Sequence, residues 1–445
     1  MPFIIKYIDY VFCDAVVFGE DNNGIINGLK IKEVIKIGKP RIVNSEGNCY
    51  LYSHILDEAQ HIDDDLFYSV PEEYGVFLTH EVSDAFIVGC LLPAVFYNQD
   101  IVVDGPISER LFYNLNNSVS YVLSLVYGNR IRIHAKELVH AQFGSSGVGC
   151  GCSLGVDSFA AMIQHIPYLG GAEMMCAPKS YQITHLTYFN VGAMGYVDLK
   201  KAKDSYDKDI KMVRAFSNEV HLPLVSLESN FSILYKDFDF DASGDFRNFS
   251  AALSLQKLFG KYLYGSSFPI CDFKFDKGQT GYYESLIAPL ISTESMEIVI
   301  ANPDMSRIDK TKFIIDNPLV HKYLYVCWKE LIANRWPDST IAKVKDYHLN
   351  CSRCDKCKRT LLAIDLLGKL DEFEAIFDIP YWKSVKESYI AKVLSNRQGN
   401  AFYKDLCVLM EEVGYTPSIK EVDGKKKKSV LFRIGSKIKR IVLKH

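Results

Sequence analysis

Between Gly144 and Ile166 the chain passes from a run of small residues through Gly151-Cys-Ser-Leu-Gly-Val-Asp-Ser158 into the apolar stretch Phe159–Ile166. No other segment limits the fold so strongly. A short loop opening a helix leaves the first backbone N–H groups of that helix unpaired at the positive end of its dipole, and such a terminus takes up phosphate. Ser153 and Ser158 add hydroxyls that can hold phosphate oxygens, and Asp157 between them is placed to hold Mg²⁺ against the phosphates. The pattern is not the Walker loop, because no Gly-Lys-Ser/Thr follows. Capping alone would also explain the two serines. Cap, glycines and Asp157 together favour nucleotide binding.

The flanking sequence predicts the architecture. From residue 146 strands and helices alternate: His185–Val191 is a compact apolar strand, Lys200–Val220 a long amphipathic helix, Leu224–Leu227 a strand, Phe249–Phe259 helical, and Lys261–Gly265 and Glu297–Ala301 strands. This alternation predicts an α/β fold with a doubly wound parallel sheet, its ligand at the C-terminal ends of the strands. Upstream, residues 1–145 read as a separate α+β domain of unassigned role, with strands over Phe3–Phe18, Leu29–Ile35 and Arg130–His134 and helices over Asp84–Val95 and Glu109–Tyr127. Downstream, residues 359–420 read as a helical region over Thr360–Phe377, Ser384–Leu394 and Gly399–Val413, and 421–445 as a basic amphipathic tail. The phosphate-loop domain proper is 146–358. At 445 residues the chain is long for one core, so several domains are expected.

Twelve cysteines and no secretory hydrophobic segment at the start point to a reducing, cytoplasmic setting, where cysteines are core residues or metal ligands. Three of them form Cys351-Ser-Arg-Cys354-Asp-Lys-Cys357, a spacing that can turn three thiolates to one point. A tetrahedral Zn²⁺ needs a fourth ligand. Cys327, expected at the end of a strand-like run, is the first choice and His348 the second. An iron–sulfur cluster and unligated thiols are the alternatives, the former weakened because Thr360-Leu361 stands where a ferredoxin run continues with Cys and Pro. Cys150 and Cys152 read as small core residues beside the loop, with a catalytic thiol as the minor alternative.

Taken together, the loop and the cysteines resemble the PP-loop ATP pyrophosphatases, and within them the 7-cyano-7-deazaguanine synthase branch. The match covers about 146–365, with Arg359 following Cys357 as an arginine follows the last cysteine in that branch. The resemblance maps the phosphate loop onto Ser153, Gly155, Asp157 and Ser158, and the zinc ligands onto Cys327, Cys351, Cys354 and Cys357. Leu154 departs from it, standing where the first glycine of the loop usually is. The first 145 residues and the tail have no counterpart in the branch.

What the resemblance implies is ATP cleaved to AMP and pyrophosphate, with adenylation of a small-molecule carboxylate or amide and displacement of AMP by ammonia or an amine. ATP, Mg²⁺ and Zn²⁺ are the cofactors. Ser153, Leu154, Gly155, Val156, Asp157 and Ser158 would form the pyrophosphate cradle, with Asp157, Ser153 and Ser158 catalytic. Asn190, Val191 and Gly192 would meet adenine and ribose, although the same tripeptide is a common strand-end turn. Gly265 and Ser266 face the same crevice. Arg307 and Lys310 read first as a solvated helix face and second as groups that neutralise the leaving pyrophosphate.

Charge separates the competing functions. The net charge is −3, yet Lys425–Lys444 holds nine Lys or Arg and no acid, so the rest carries about −12. So acidic a body disfavours nucleic acid, and with it a tRNA-modifying enzyme. A non-catalytic nucleotide-binding module in a defence or surface-polysaccharide system is the other alternative, with Leu154 marking lost hydrolysis. The tail can lie on an anionic membrane surface, dock on protein, or remain unstructured. An oligomer is compatible with all of these.

Overall fold

The computed structural model describes residues 25–26, 29–30, 32–170, 177–345 and 348–417. The expected strand over Phe3–Phe18 and the basic tail lie outside them. The strands are β1 (Ile25–Ile26), β2 (Leu29–Lys30), β3 (Val34–Ile37), β4 (Arg41–Ser45), β5 (Asn48–Asp57), β6 (Ile62–Pro71), β7 (Asp100–Ser108), β8 (Ile133–Val139), β9 (Gly147–Gly151), β10 (His185–Asn190), β11 (Leu224–Ser229), β12 (Phe259–Gly265) and β13 (Glu297–Ala301). Apart from the β1–β2 hairpin they form one eleven-stranded, mostly parallel sheet in the order β13-β12-β9-β10-β11-β6-β5-β3-β7-β8, with β4 on β5. The protein is therefore of the α/β class.

The five strands from β13 to β11 are all parallel. Their chain order runs outward from β9 in both directions, β10 on one side and β12 on the other. The crevice beyond the end of β9 is thus where the winding reverses, the place where open α/β sheets hold ligands. The loop after β9 lies there.

The sheet does not break near residue 145. Strand β6 pairs antiparallel with β11 through Ser69–Glu228 and Tyr68–Ser229, and Asn230 extends the seam by accepting from Phe67 N–H (2.9 Å) and donating to Asp65 O (2.8 Å). Alternation along β12 sends Tyr262 into one core and Leu263 into the other, as expected for a sheet covered on both faces. The first core runs from Ile35 to Ile298 and merges the N-terminal region with β11 and helix Gly244–Leu253. The second joins the loop helix Val156–His165 to the helices at the C-terminal end, out to Met410. Helix Asp355–Leu366 crosses the position expected to divide the loop domain from the helical region.

Two local expectations are corrected. Residues Phe249–Phe259 are not one helix: the helix ends at Leu253 and Phe259 starts β12, because its ring is needed flat against Gly149, 3.1 Å from where a Cβ there would stand. Tyr325–Cys327 is irregular rather than a strand, its Tyr325 N–H spent on Leu154 O (2.8 Å) and its Val326 N–H on Asn350 Oδ1 (2.9 Å).

Candidate anion site and four-cysteine cluster

The loop between β9 and helix Val156–His165 is tied to itself. Ser153 Oγ and Ser158 Oγ are 3.0 Å apart, Ser158 Oγ donates to Gly155 O (3.1 Å), and Gly155 N–H reaches Ser153 Oγ (3.4 Å). Leu154 has φ +57°, the left-handed region that favours glycine. Here the side chain points into the second core, fully buried with Val148, Phe159 and Val326. Burial of a leucine offsets the backbone strain, about 1–3 kcal/mol for a non-glycine residue so placed. Cys150 and Cys152 are buried, and burial pushes the Cys150 thiol up to about 12. Neither offers a thiolate.

Asp157 is gripped on both oxygens. Arg307 Nη2 lies 2.7 Å from Oδ2 and Lys310 Nζ 3.3 Å from Oδ1. Both cations come from helix Arg307–Ile314, which a reciprocal Ser306–Asp309 capping box starts. The solvated-face reading of this helix is overturned for Lys310, which is 0 % exposed and also donates to Ser266 Oγ (2.7 Å) and Ser266 O. Burial pulls the Lys310 ammonium below its ordinary range, and Asp157 opposes that shift. Gly265 stays small because a Cβ there would stand 2.7 Å from Asp157 O. Ser153, Ser158, Asp157, Gly265, Ser266, Arg307 and Lys310 therefore meet at the ends of β9 and β12.

Asn190, Val191 and Gly192 end the neighbouring β10, but their groups are engaged otherwise. Asn190 donates to Glu228 (3.3 Å), while Val191 O accepts from Tyr196 Oη (3.1 Å) and Arg247 Nη1 (3.2 Å). Arg247 is buried among Tyr196, Tyr235 and Phe240 and holds this turn.

Two further cations lie within electrostatic reach of Arg307 and Asp157. Arg359 is 8 % exposed, stacks on Phe402 (3.8 Å to the ring centre), and makes no hydrogen bond or ion pair among the described residues. Burial, reinforced by Arg307, pulls its guanidinium down to about 10. Lys356, over the Trp328 ring at 4.7 Å, is pushed down to about 8 by desolvation and then by Arg359 and Arg307. Arg307 Nε is buried without a partner. Arg307 and Lys310 share Asp157, while Arg359 is balanced in part by Asp355 and Lys356 in part by Asp157 and Asp241. A buried charge without a direct ion-pair partner is costly unless an anion joins it. Arg359 was visible in sequence only as the arginine two positions after Cys357, and Lys356 only as a cation between two cysteines; Phe402 carried no signal.

Behind the site, Glu284 accepts from Ser267 N–H and Ser267 Oγ (3.2 Å). Burial, and then Asp245, raise its carboxyl well above the usual range. Burial likewise pushes Asp245 up to about 6.

The cysteines lie directly behind Arg359. Zn–S bonds of about 2.3 Å separate tetrahedral sulfurs by about 3.8 Å. Cys351 and Cys357 Sγ are 3.9 Å apart, Cys354 and Cys357 Sγ 3.4 Å, and all four sulfurs including Cys327 lie within 4.8 Å of one another. Backbone N–H groups of Lys329 and Cys351 approach Cys327 Sγ (3.3 and 3.4 Å), those of Arg353 and Cys354 approach Cys351 Sγ (3.4 and 3.3 Å), and Cys357 N–H approaches Cys354 Sγ (3.5 Å). Hydrogen bonding from Cys327 holds the Cys354 thiol down to about 7. This buried four-cysteine cluster can bind a metal such as zinc. His348 is exposed and outside it.

Comparison with family models, with curated proteins and with solved structures returns no match.

Proposed function

We propose that this chain is a divergent PP-loop enzyme of the 7-cyano-7-deazaguanine synthase type that adenylates a small-molecule carboxylate or amide with ATP. The observation that carries the reading is the pair Arg307 and Lys310 on Asp157, with Lys356 and Arg359 within electrostatic reach, at a phosphate-type loop where the parallel strands reverse their winding. Two cations on the single carboxylate Asp157, with Lys356 and Arg359 near them, suit a polyphosphate.

In this reading the loop N–H groups and the Ser153 and Ser158 hydroxyls hold the β- and γ-phosphates. Arg307 moves from Asp157 Oδ2 to a phosphate oxygen. Mg²⁺, when bound, would screen the phosphates from beside the freed Asp157 oxygen. A carboxylate or amide oxygen attacks the α-phosphorus, the bond to the β-phosphate oxygen breaks, and pyrophosphate leaves with the negative charge that Lys310, Arg359 and Lys356 stabilise. Ammonia or an amine then displaces AMP. A zinc in the cysteine cluster would be structural, fixing the start of helix Asp355–Leu366 from which Lys356 and Arg359 project.

One observation favours a second reading. Both Asp157 oxygens are closed by cations, as befits a module that binds nucleotide without turning it over. Pyrophosphate release from ATP, measured across carboxylate and amide substrates with Asp157→Ala as control, separates the two. Release that Asp157→Ala abolishes supports the enzyme, and tight ATP binding with no release supports the module. Failure to bind ATP at all removes both.

A further inference from the structure

A second cluster of ligating side chains lies apart from the loop, where the N-terminal region meets the α/β core. Glu109 begins the helix after β7, His140 follows β8, and Glu294 sits in the tight connection between helix Glu284–Ile291 and β13. His140 Nδ1 is 3.6 Å from Glu109 Oε2 and 3.9 Å from Glu294 Oε1, and one donor atom from each residue falls within 4.8 Å of the others. Ligands of a single cation bound at about 2.0–2.2 Å are separated by about 3–4 Å, so little contraction is needed.

Glu294 supplies the independent sign of a missing partner. Its side chain is only 7 % exposed, Oε1 accepts from Arg110 N–H (2.7 Å), and Oε2 is buried with no hydrogen-bond donor. A carboxylate oxygen shut from water and left without a donor is costly.

The residues beside each ligand are fixed. Buried Asp84 accepts from Ser108 N–H (3.0 Å) and Gln256 Nε2 (3.0 Å), which holds the residue before Glu109. Gln256 Oε1 accepts from Thr293 Oγ1 (2.5 Å), and Thr293 Oγ1 in turn accepts from Ser295 N–H (3.2 Å) and Met296 N–H (3.0 Å), closing the turn around Glu294. Ser295 Oγ donates to Ala141 O (2.7 Å) and accepts from Phe143 N–H (3.0 Å), beside His140. Support of this kind holds first ligands in place before a metal arrives.

We infer that Glu109, His140 and Glu294 form a binding site for a divalent transition cation, Zn²⁺ or Mn²⁺, that clips the N-terminal region to the α/β core. One imidazole with two carboxylates suits these ions, whereas the all-thiolate cluster selects zinc over manganese. Of the two ligand clusters among the described residues, Mn²⁺ therefore reports this one when nucleotide is absent. Titrated into the full-length, nucleotide-free protein and followed by loss of the free-ion electron paramagnetic resonance signal, Mn²⁺ binds at one equivalent and raises the thermal midpoint. Glu109→Gln and His140→Gln, at exposed positions that spare the core, and Glu294→Gln each weaken binding at least about tenfold and abolish the thermal shift. Asp157→Asn changes neither. The inference falls if the wild type binds no Mn²⁺ at millimolar concentration. It falls equally if the three variants bind as the wild type does, or if Asp157→Asn removes the bound ion.

Discussion

Lys310 places its ammonium 2.7 Å from Ser266 Oγ and 3.3 Å from Asp157 Oδ1, so one buried cation joins the end of β12 to the first turn of helix Val156–His165. A lysine so enclosed is held by geometry rather than by chance contact. Its charge is available to a ligand without the entropy cost of ordering a flexible side chain.

Replacing Lys310 with Met keeps the length and the apolar stem but removes the charge. Affinity for ATP is expected to fall about 10–100-fold by titration calorimetry, the order of losing one charge-assisted contact in a water-poor site. The helical circular dichroism should stay that of the wild type. Wild-type affinity in a folded Lys310→Met protein removes Lys310 from the site.

Lys356 gives the site a pH dependence with a definite sign. Its ammonium titrates at about 8 in the free protein, and a bound polyanion favours its charged form. Binding therefore takes up a proton above about pH 8, and affinity for pyrophosphate falls as pH rises through that value, by up to about tenfold per unit. Lys356→Gln should bind more weakly below pH 8 and lose this slope. An unchanged slope in the variant assigns the titration elsewhere.

Much of the site was legible because the loop is local in sequence: a strand, a short turn and a helix announce themselves within twenty residues. The cations were not, because they converge from helices far along the chain. In Arg307-Ile-Asp-Lys-Thr-Lys312 the charged residues outnumber the apolar ones and suggest solvent, yet Asp157 and Ser266 arrive from elsewhere to enclose Lys310. The β5–β6 hairpin was hidden for a related reason. Along β5 the inward positions alternate as Cys49, Leu51, Ser53, Ile55 and Asp57, and the two polar members blur the period. They are tolerated because Ser53 donates to Gly38 O (2.9 Å) and Asp57 accepts from Gln99 Nε2 (2.6 Å).

Leu154 poses two opposed effects whose sizes decide the outcome. Leu154→Gly relieves a left-handed backbone but empties a fully buried position. Strain relief is about 1–3 kcal/mol, whereas removal of a buried leucine side chain costs about 3–5 kcal/mol. The variant is expected to be less stable by about 2 kcal/mol in urea unfolding. A more stable Leu154→Gly would mean that the side chain contributes little to the second core.

The cysteine cluster predicts one Zn²⁺ per chain by elemental analysis of the Glu294→Gln protein, and removal of that ion exposes four thiols. Cys351→Ser should lose the metal and weaken anion binding as well, since Lys356 and Arg359 stand on the helix that Cys354 caps. Metal loss with anion affinity intact would uncouple the two features.

The seam between β6 and β11 sets a condition on biosynthesis. Strand β6 leaves the ribosome about 160 residues before its partner, a delay of about 8–30 s at ordinary elongation rates. During that interval the N-terminal strands present a bare edge able to pair with another chain. The three consecutive aspartates Asp63, Asp64 and Asp65 lie near the start of this edge strand, and like charges on an exposed edge act against its pairing with another copy. The edge of the N-terminal strands thus waits for the α/β core to be made before it is covered.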